Sequence, residues 1–303
     1  MLTTTLRPTA IIMYKRKQKG LQQTTTRAKS LDNLQKKYTN GCLSESAKKM
    51  IKKTIANWSV GVLASQRLYS KNRERKRRYF VMITLTLPTA QQESDNKLKR
   101  KFLNIWLQRL ERVHKGINYL WVAEVQKNGN LHFHIVVDRW VNYLWVSSTW
   151  NKTLANGEYI NEFEKKFGHR NPPTTKVTGQ KKMKDPALYI TKYISKAENR
   201  RKIEGHCWYC CDNLKKINNL SLLNSEEIEN YICEQCPEKL KKVYYGEYST
   251  AYYFIDPLAI NGVLNKLLTI DFLQICRYYG IIYPELIELI PEDLPKEIFP
   301  EWC

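Results

Sequence analysis

The stretch Tyr119-Leu-Trp-Val-Ala-Glu-Val-Gln-Lys-Asn-Gly-Asn-Leu-His-Phe-His-Ile-Val-Val-Asp138 predicts a β-hairpin near the middle of the 303-residue chain. Residues 119–127 and 131–138 are two runs rich in β-branched and aromatic side chains, which favour strands. Between them, Asn128-Gly129-Asn130 is typical of a tight turn, because Gly and Asn tolerate the positive φ that such turns need. We therefore expect two antiparallel neighbours in a sheet.

A loop over residues 128–130 gives a register in which one face of the hairpin pairs only apolar side chains. The pairs on that face are Val125 with Phe133, Ala123 with Ile135 and Trp121 with Val137. On the other face, the same register places Glu124 opposite His134 and Gln126 opposite His132. A two-residue turn would instead place Glu124 opposite an apolar residue and bury its charge, which is unfavourable. We therefore predict the three-residue loop.

His132 and His134 are two residues apart on a strand, so their imidazoles project from the same face with Cα atoms about 7 Å apart. Both side chains can reach one cation, and Glu124 adds a carboxylate, with Gln126 as an alternative ligand. Such a set with open positions is suited to Mg²⁺ or Mn²⁺ holding a phosphate. The alternative is two histidines on a solvated strand face.

The residues around the hairpin predict an α+β fold. Residues 80–87 form a strand that ends at Pro88, and residues 98–113 carry an apolar stripe at helical spacing. Further helices are expected over residues 143–154, 159–167 and 185–198. A strand, a helix and then an antiparallel hairpin is the opening of a sandwich in which helices cover a sheet.

Residues Tyr189-Ile-Thr-Lys192-Tyr193-Ile-Ser-Lys196 contain a tandem repeat of Y-I-[TS]-K within the last of these helices. Side chains four apart on a helix lie nearly above one another, so Tyr189 and Tyr193 share one face. Lys192 and Lys196 share a neighbouring face. Two phenols and two ammonium groups then form one small patch. The alternative is an amphipathic helix with core tyrosines and solvated lysines.

Three motifs occur in one order: the strand Met82-Ile-Thr-Leu-Thr-Leu87, the strand with His132-Phe-His134, and the helix with Tyr189 and Tyr193. In order and rough spacing they resemble the three motifs of the HUH endonucleases. The two-tyrosine version resembles the replication initiator proteins of microviruses and inoviruses, the small single-stranded DNA phages. The resemblance covers about residues 79–200.

The resemblance implies that His132 and His134 hold the divalent metal ion, and that Tyr189 and Tyr193 attack DNA phosphates in turn. It also implies a five-stranded antiparallel sheet with the histidines on a central strand. The third ligand differs among branches of this family, so Glu124 rests on the hairpin register.

The activity that follows is metal-dependent nicking and joining of DNA through a 5′-phosphotyrosine, which frees a 3′-hydroxyl primer. A tyrosine with a pKa of roughly 10 is a poor nucleophile at neutral pH, so the metal ion and a lysine, Lys192 or Lys196, would assist it. This chemistry starts rolling-circle replication of a small single-stranded DNA genome or plasmid at its origin. The chain contains no G-x-x-x-x-G-K-[ST], so strand separation would come from a host helicase and extension from a host DNA polymerase.

Cysteines provide a further motif. Cys207-x-x-Cys210 and Cys233-x-x-Cys236 have a spacing that suits a structural Zn²⁺ site in a reducing compartment. Cys211 and His206 are alternative ligands, and the other interpretation is a set of free thiols around a surface loop.

Charge divides the chain unevenly. The formal net charge is +21, and residues 1–78 carry +17 of it, whereas residues 256–303 carry −5. This excess excludes a typical enzyme of small neutral metabolites and indicates a nucleic-acid partner, here single-stranded and origin DNA. We divide the chain into a basic arm and helix (1–78), an endonuclease core (79–202), a zinc-binding insertion (203–240) and a C-terminal strand, helix and acidic tail (241–303). Within the first part, residues 1–40 are expected to be a flexible arm.

Two other functions remain open at this stage. A relaxase or a transposase shares the H-x-H motif, and a zinc-containing DNA-binding regulator without catalysis would explain the charge and the cysteines. The sequence has no secretory signal and no apolar run of the roughly 18 residues that span a bilayer, so we expect a cytoplasmic protein without a membrane partner.

Overall fold

The computed structural model describes residues 2–7, 10–15, 41, 43–70, 78–179, 201–217, 221–222, 225–238, 241–255, 262–263, 266–267 and 272–287. Within these ranges the chain forms two five-stranded antiparallel sheets with flanking helices. The strands are β1 (Leu2–Arg7), β2 (Ala10–Lys15), β3 (Val81–Leu85), β4 (Tyr119–Val125), β5 (Leu131–Val137), β6 (Thr175–Gly179), β7 (Trp208–Cys210), β8 (Ser221–Leu222), β9 (Lys241–Gly246) and β10 (Ser249–Phe254). The predicted α+β class is confirmed.

The sheet that contains the hairpin has the strand order β6-β3-β5-β4-β7, and every pair in it is antiparallel. We call it the histidine sheet. Strand β5, which carries His132 and His134, lies at its centre. The five-stranded sheet with central histidines that the resemblance implied is therefore confirmed.

The helices described are α1 (Glu45–Ser70), α2 (Asp95–Lys97, a π-helical Leu98–Leu103 and Asn104–Val113 in succession), α3 (Tyr143–Ala155), α4 (Tyr159–Phe167), α5 (Asp212–Lys215), α6 (Ser225–Gln235), α7 (Phe272–Tyr279) and a 3₁₀ turn (Pro284–Leu286). Ser94 begins α2 by accepting a hydrogen bond from the Lys97 amide, and Asn142 begins α3 in the same way. Buried apolar side chains of α1, α2, α3 and both sheets form one continuous core.

The hairpin loop has three residues as predicted, but the register is wrong by two positions. Strand β4 pairs Glu124 with His132 and Val122 with His134, and the Gln126 amide donates to the Asn130 carbonyl at 2.8 Å. The reason is the turn: Gly129 takes the positive φ of 85° as the last loop residue, which joins Asn130 to the second strand.

This shift changes every predicted cross-strand pair, since Ala123 lies opposite Phe133 and Trp121 opposite Ile135. It leaves every side chain on its predicted face, because a shift of two residues preserves the alternation of a strand. Gln126 lies opposite Asn130, not opposite His132.

The N-terminal segment differs from the prediction of a flexible arm. Residues 2–15 form β1 and β2, and β2 pairs with β10, so the second sheet has the order β8-β1-β2-β10-β9. The single strand expected at residues 242–255 is a hairpin of β9 and β10. Residues 16–40 and the basic run 71–77 lie outside the described part of the chain, and the predicted domain boundaries stay predictions.

Asp95 holds the hairpin turn against a segment more than a hundred residues away. Its carboxylate is 2% exposed and accepts two hydrogen bonds from the Arg201 guanidinium, at 2.7 and 2.8 Å. Arg201 also donates to the Gly129 carbonyl at 2.9 Å. Gln91 connects the same carboxylate to the Leu131 amide, so the start of the histidine strand is fixed to residues 201–204.

A second buried carboxylate, Asp138, ends the histidine strand. It accepts hydrogen bonds from the Asn118 side chain at 2.7 Å and from the Tyr283 hydroxyl at 2.8 Å, and it pairs with Arg78. The Tyr283 oxygen in turn accepts from Trp58 Nε1 at 2.8 Å. This network joins α1 and the C-terminal segment to the edge of the histidine site.

The Asp95 contacts predict a pH dependence of stability. Burial acts to raise the pKa of Asp95, but hydrogen bonds from Arg201, Gln91 and the Glu204 amide outweigh it, so the pKa lies below the ordinary 3.8. The stabilisation is therefore complete above pH 3.8 and is lost as the pH falls through the lower, folded-state pKa. Asp95→Asn should lower the free energy of unfolding at neutral pH by about 1–3 kcal/mol, measured with urea.

The gap between the wild type and Asp95→Asn should narrow on acidification below that point. Asp212→Asn, which removes an exposed carboxylate paired with Lys215, is the matched control and should change stability little. A gap for Asp95→Asn that stays constant with pH would contradict the assignment.

The Asp138 network predicts the effect of one missing oxygen. Tyr283→Phe leaves the Trp58 N–H and one carboxylate oxygen without this partner in the core, so the free energy of unfolding should fall by about 1–3 kcal/mol. Tyr143→Phe changes an exposed tyrosine and serves as the control. Equal stability of both variants would show that the Tyr283 hydroxyl contributes nothing.

Candidate metal and active site

The imidazole of His134 and the carboxylate of Glu124 are in direct contact. His134 Nε2 lies 2.9 Å from Glu124 Oε2, and the two residues are 2% and 7% exposed. They are diagonal neighbours on β4 and β5, a distance that long side chains bridge. The His132 ring is half-buried on the same face, with its centroid 4.5 Å from that of His134. The structure thus brings together the three side chains that the sequence analysis selected.

Thr84 of β3 is a site residue that the sequence analysis did not select. It lies opposite His134 in the sheet, and its hydroxyl is 3.5 Å from His134 Nδ1. The His134 ring is therefore approached at one nitrogen by a carboxylate and at the other by a hydroxyl, which restricts its orientation. The alternation of β3 placed Thr84 on a polar face, and that was the available signal.

Lys176 of β6 is the second residue that the sequence analysis missed. It lies opposite Thr84, so Lys176, Thr84 and His134 form one row across three neighbouring strands. Side chains in such a row share a face, and strands are spaced about 4.8 Å apart, so the exposed ammonium group can reach a phosphate that lies beside the histidines. No strand was predicted over Thr175–Gly179, because this short polar segment lacks an apolar alternation.

The donor chemistry at this site fits a divalent metal ion, but the side chains are not arranged around one. No group of three or more His, Cys, Asp or Glu side chains is placed to hold a metal ion within the described ranges. Glu124 and His134 instead contact each other. Two imidazoles and a carboxylate on one face nevertheless form the nitrogen and oxygen set that Mn²⁺ or Mg²⁺ accepts. The metal site and Gln126 as an alternative ligand stay predictions.

The four residues of the tyrosine repeat, Tyr189, Lys192, Tyr193 and Lys196, lie outside the described residues. The flanking positions are described: β6 ends at Gly179, at an edge of the histidine sheet, and Arg201 is held at the turn before His132.

The cysteines predicted to bind zinc lie on separate elements. Cys210 belongs to β7 opposite Leu120, and Cys207 directly precedes this strand, whereas Cys233 lies in α6 and Cys236 follows it. Cys207, Cys210 and Cys236 are buried and Cys233 is exposed. Burial raises the pKa of Cys210 to about 11, so this thiol is protonated at neutral pH in the absence of a cation. Zinc stays a prediction.

Membrane insertion was also considered. Among the residues that the structure describes, no helix has the length and apolar character needed to cross a bilayer.

Comparison with known proteins gives one similarity. Residues 80–198 match the family model described as "Replication-associated protein ORF2". No curated protein and no solved structure matches the chain. The match spans less than half of the 303 residues and contains the whole histidine hairpin and the tyrosine repeat. The segment that carries the candidate site is therefore similar to replication-associated proteins.

Proposed function

We propose that this chain is a rolling-circle replication initiator of the HUH type, which nicks single-stranded origin DNA and rejoins it through tyrosine. The observation that carries the proposal is the contact of His134 with Glu124 beside His132, on the central strand of a segment similar to replication-associated proteins. The tyrosine repeat follows within the same segment. A non-catalytic regulator would need neither group.

His132, His134 and Glu124 are the residues that would hold Mg²⁺ or Mn²⁺. The ion would withdraw charge from the scissile phosphate, which makes the phosphorus more open to attack. Thr84 orients His134 from the side away from Glu124, as a supporting residue does at many metal sites. Lys176 would contact a neighbouring phosphate and so help to align the DNA strand across the sheet.

The reaction itself is a transesterification. The phenolic oxygen of Tyr189 or Tyr193 forms a bond to phosphorus, and the bond from phosphorus to the 3′-oxygen breaks. The phenolic proton leaves, and the departing 3′-oxygen takes up a proton to become the primer hydroxyl. One phosphodiester is exchanged for another, so no ATP is consumed. Lys192 and Lys196 would stabilise the phenolate.

The second tyrosine accounts for termination. While the first tyrosine is esterified, the second can cut the regenerated origin, and the free 3′-hydroxyl then attacks the first ester to close a circle. Extension between these events would require a host polymerase and a host helicase.

The histidines can be tested by substitution. His132→Ala and His134→Ala should lower the rate of Mn²⁺-dependent nicking of single-stranded origin DNA by at least roughly a hundredfold, because the phosphate loses its metal ion. Binding of the same DNA should stay near the wild-type value, since affinity depends mainly on phosphate contacts with basic residues. The exposed His169 provides the control His169→Ala.

Mn²⁺ binding, followed by electron paramagnetic resonance, separates a lost ligand from a misfolded chain. Wild-type nicking by either histidine variant, after chelation and restoration of the metal, would refute the metal site.

The tyrosines give the sharper test. Tyr189→Phe and Tyr193→Phe should each leave a chain that nicks and becomes covalently attached to DNA but does not complete strand transfer. The double variant should form no adduct. Mass spectrometry of the trapped DNA-peptide identifies the attachment site. An adduct at any other residue, or one that survives in the double variant, would disprove the mechanism.

A further inference from the structure

The second sheet, β8-β1-β2-β10-β9, presents a face that the proposed nicking chemistry does not use. This sheet lies outside the segment that is similar to replication-associated proteins. One face packs into the core through buried side chains, among them Ile11, Met13, Tyr252 and Phe254. The opposite face carries tyrosines that are open to solvent. Ala10 and Ile12 on that opposite face are buried, so its open part lies on β9, β10 and the end of β2.

We propose that this outer face binds single-stranded DNA by stacking bases on Tyr14, Tyr244 and Tyr253. The three side chains are 37%, 59% and 40% exposed. The register places them on one face, because Tyr14 lies opposite Ser249, Tyr244 opposite Ala251, and Tyr253 two residues further along the same strand. We call Tyr14, Tyr244, Tyr253 and Lys242 the tyrosine face.

The rings are placed for stacking. Tyr244 and Tyr253 meet edge to face, with centroids 5.4 Å apart and planes at 86°, so they do not cover each other's ring surfaces. The positions between the rings, Gly246, Ser249 and Ala251, have small side chains. They leave a shallow floor on which a flat base can lie against a tyrosine.

Charge favours nucleic acid as the occupant. Lys242 is exposed and lies directly opposite Tyr253, and none of the strand residues that the register assigns to this face is acidic. Exposed aromatic rings interleaved with a cation on a β-sheet bind unpaired bases by stacking and the backbone by charge. Duplex DNA keeps its bases stacked internally, so the tyrosine face should prefer single strands. A second copy of the chain would meet the same cation.

Binding can be measured on the full chain with a fluorescent oligothymidine, by polarisation, in buffer that contains EDTA. Tyr244→Leu/Tyr253→Leu removes the rings but keeps apolar side chains that suit a strand, and it should weaken binding at least roughly fivefold. Tyr244→Phe/Tyr253→Phe keeps the rings and should bind like the wild type.

The neighbouring residue offers a matched control. Tyr245 is 82% exposed and points to the opposite face of the same strand, so Tyr245→Leu should leave the affinity unchanged. Lys242→Gln should reduce the slope of log affinity against log salt by about 0.7. Thermal unfolding of each variant shows whether the fold is kept.

Three results would overturn the proposal: wild-type affinity of the double leucine variant, an equal loss for Tyr245→Leu, or a change of oligomeric mass on light scattering without loss of DNA binding. The last result would identify the tyrosine face as an interface between copies. Because the oligonucleotide has no origin and the buffer no free metal, the outcome does not depend on nicking activity.

Discussion

The antiparallel pairing of β4 and β5 is the constraint on which the rest of the site depends. Side chains alternate along a strand, so Glu124, His132 and His134 can share a face only if the two strands meet in a register of the correct parity. The three-residue loop with Gly129 at positive φ sets that parity. The opposite parity would bury a carboxylate among the aromatic side chains of the core, which costs several kcal/mol.

Two buried carboxylates hold the ends of the histidine strand to distant parts of the chain. Asp95 fixes the strand's beginning to Arg201, and Asp138 fixes its end to Arg78 and Tyr283. A buried charge is tolerated only when it is fully hydrogen-bonded, so each carboxylate requires its partners to be present. The candidate site is thereby built on a strand anchored at both ends, which suits chemistry that needs a fixed phosphate position.

The two sheets suggest a division of work within one continuous core. The histidine sheet presents imidazoles, a carboxylate and Lys176 on a partly buried face, where charges act strongly on a reacting phosphate. The second sheet presents solvent-exposed rings, which contribute affinity through stacking and need no exact alignment. Binding and chemistry would then be adjusted by different residues, as is useful for an enzyme that must remain on a long strand between two cleavages.

The sequence by itself determined the α+β class, most helices of the core, the hairpin and the face on which Glu124, His132 and His134 meet. These follow from local periodicity, since a period of two or near 3.6 is written in neighbouring residues. The predicted flexible arm shows the limit: whether residues 2–15 form strands depends on β10, more than two hundred residues away. Local composition records only their charge.

Only the tertiary structure decided the cross-strand partners. A two-residue slip costs no change of face, so apolar pairing alone could not distinguish the register of Glu124 opposite His132 from the predicted one. Thr84 and Lys176 entered the site through pairings across β3, β5 and β6, which no local pattern encodes. The separation of Cys207 and Cys210 from Cys233 and Cys236 has the same origin, because the edge strand β7 takes up the first pair while α6 carries the second. Spacing along the chain sets how far apart residues can be, and packing sets where they are.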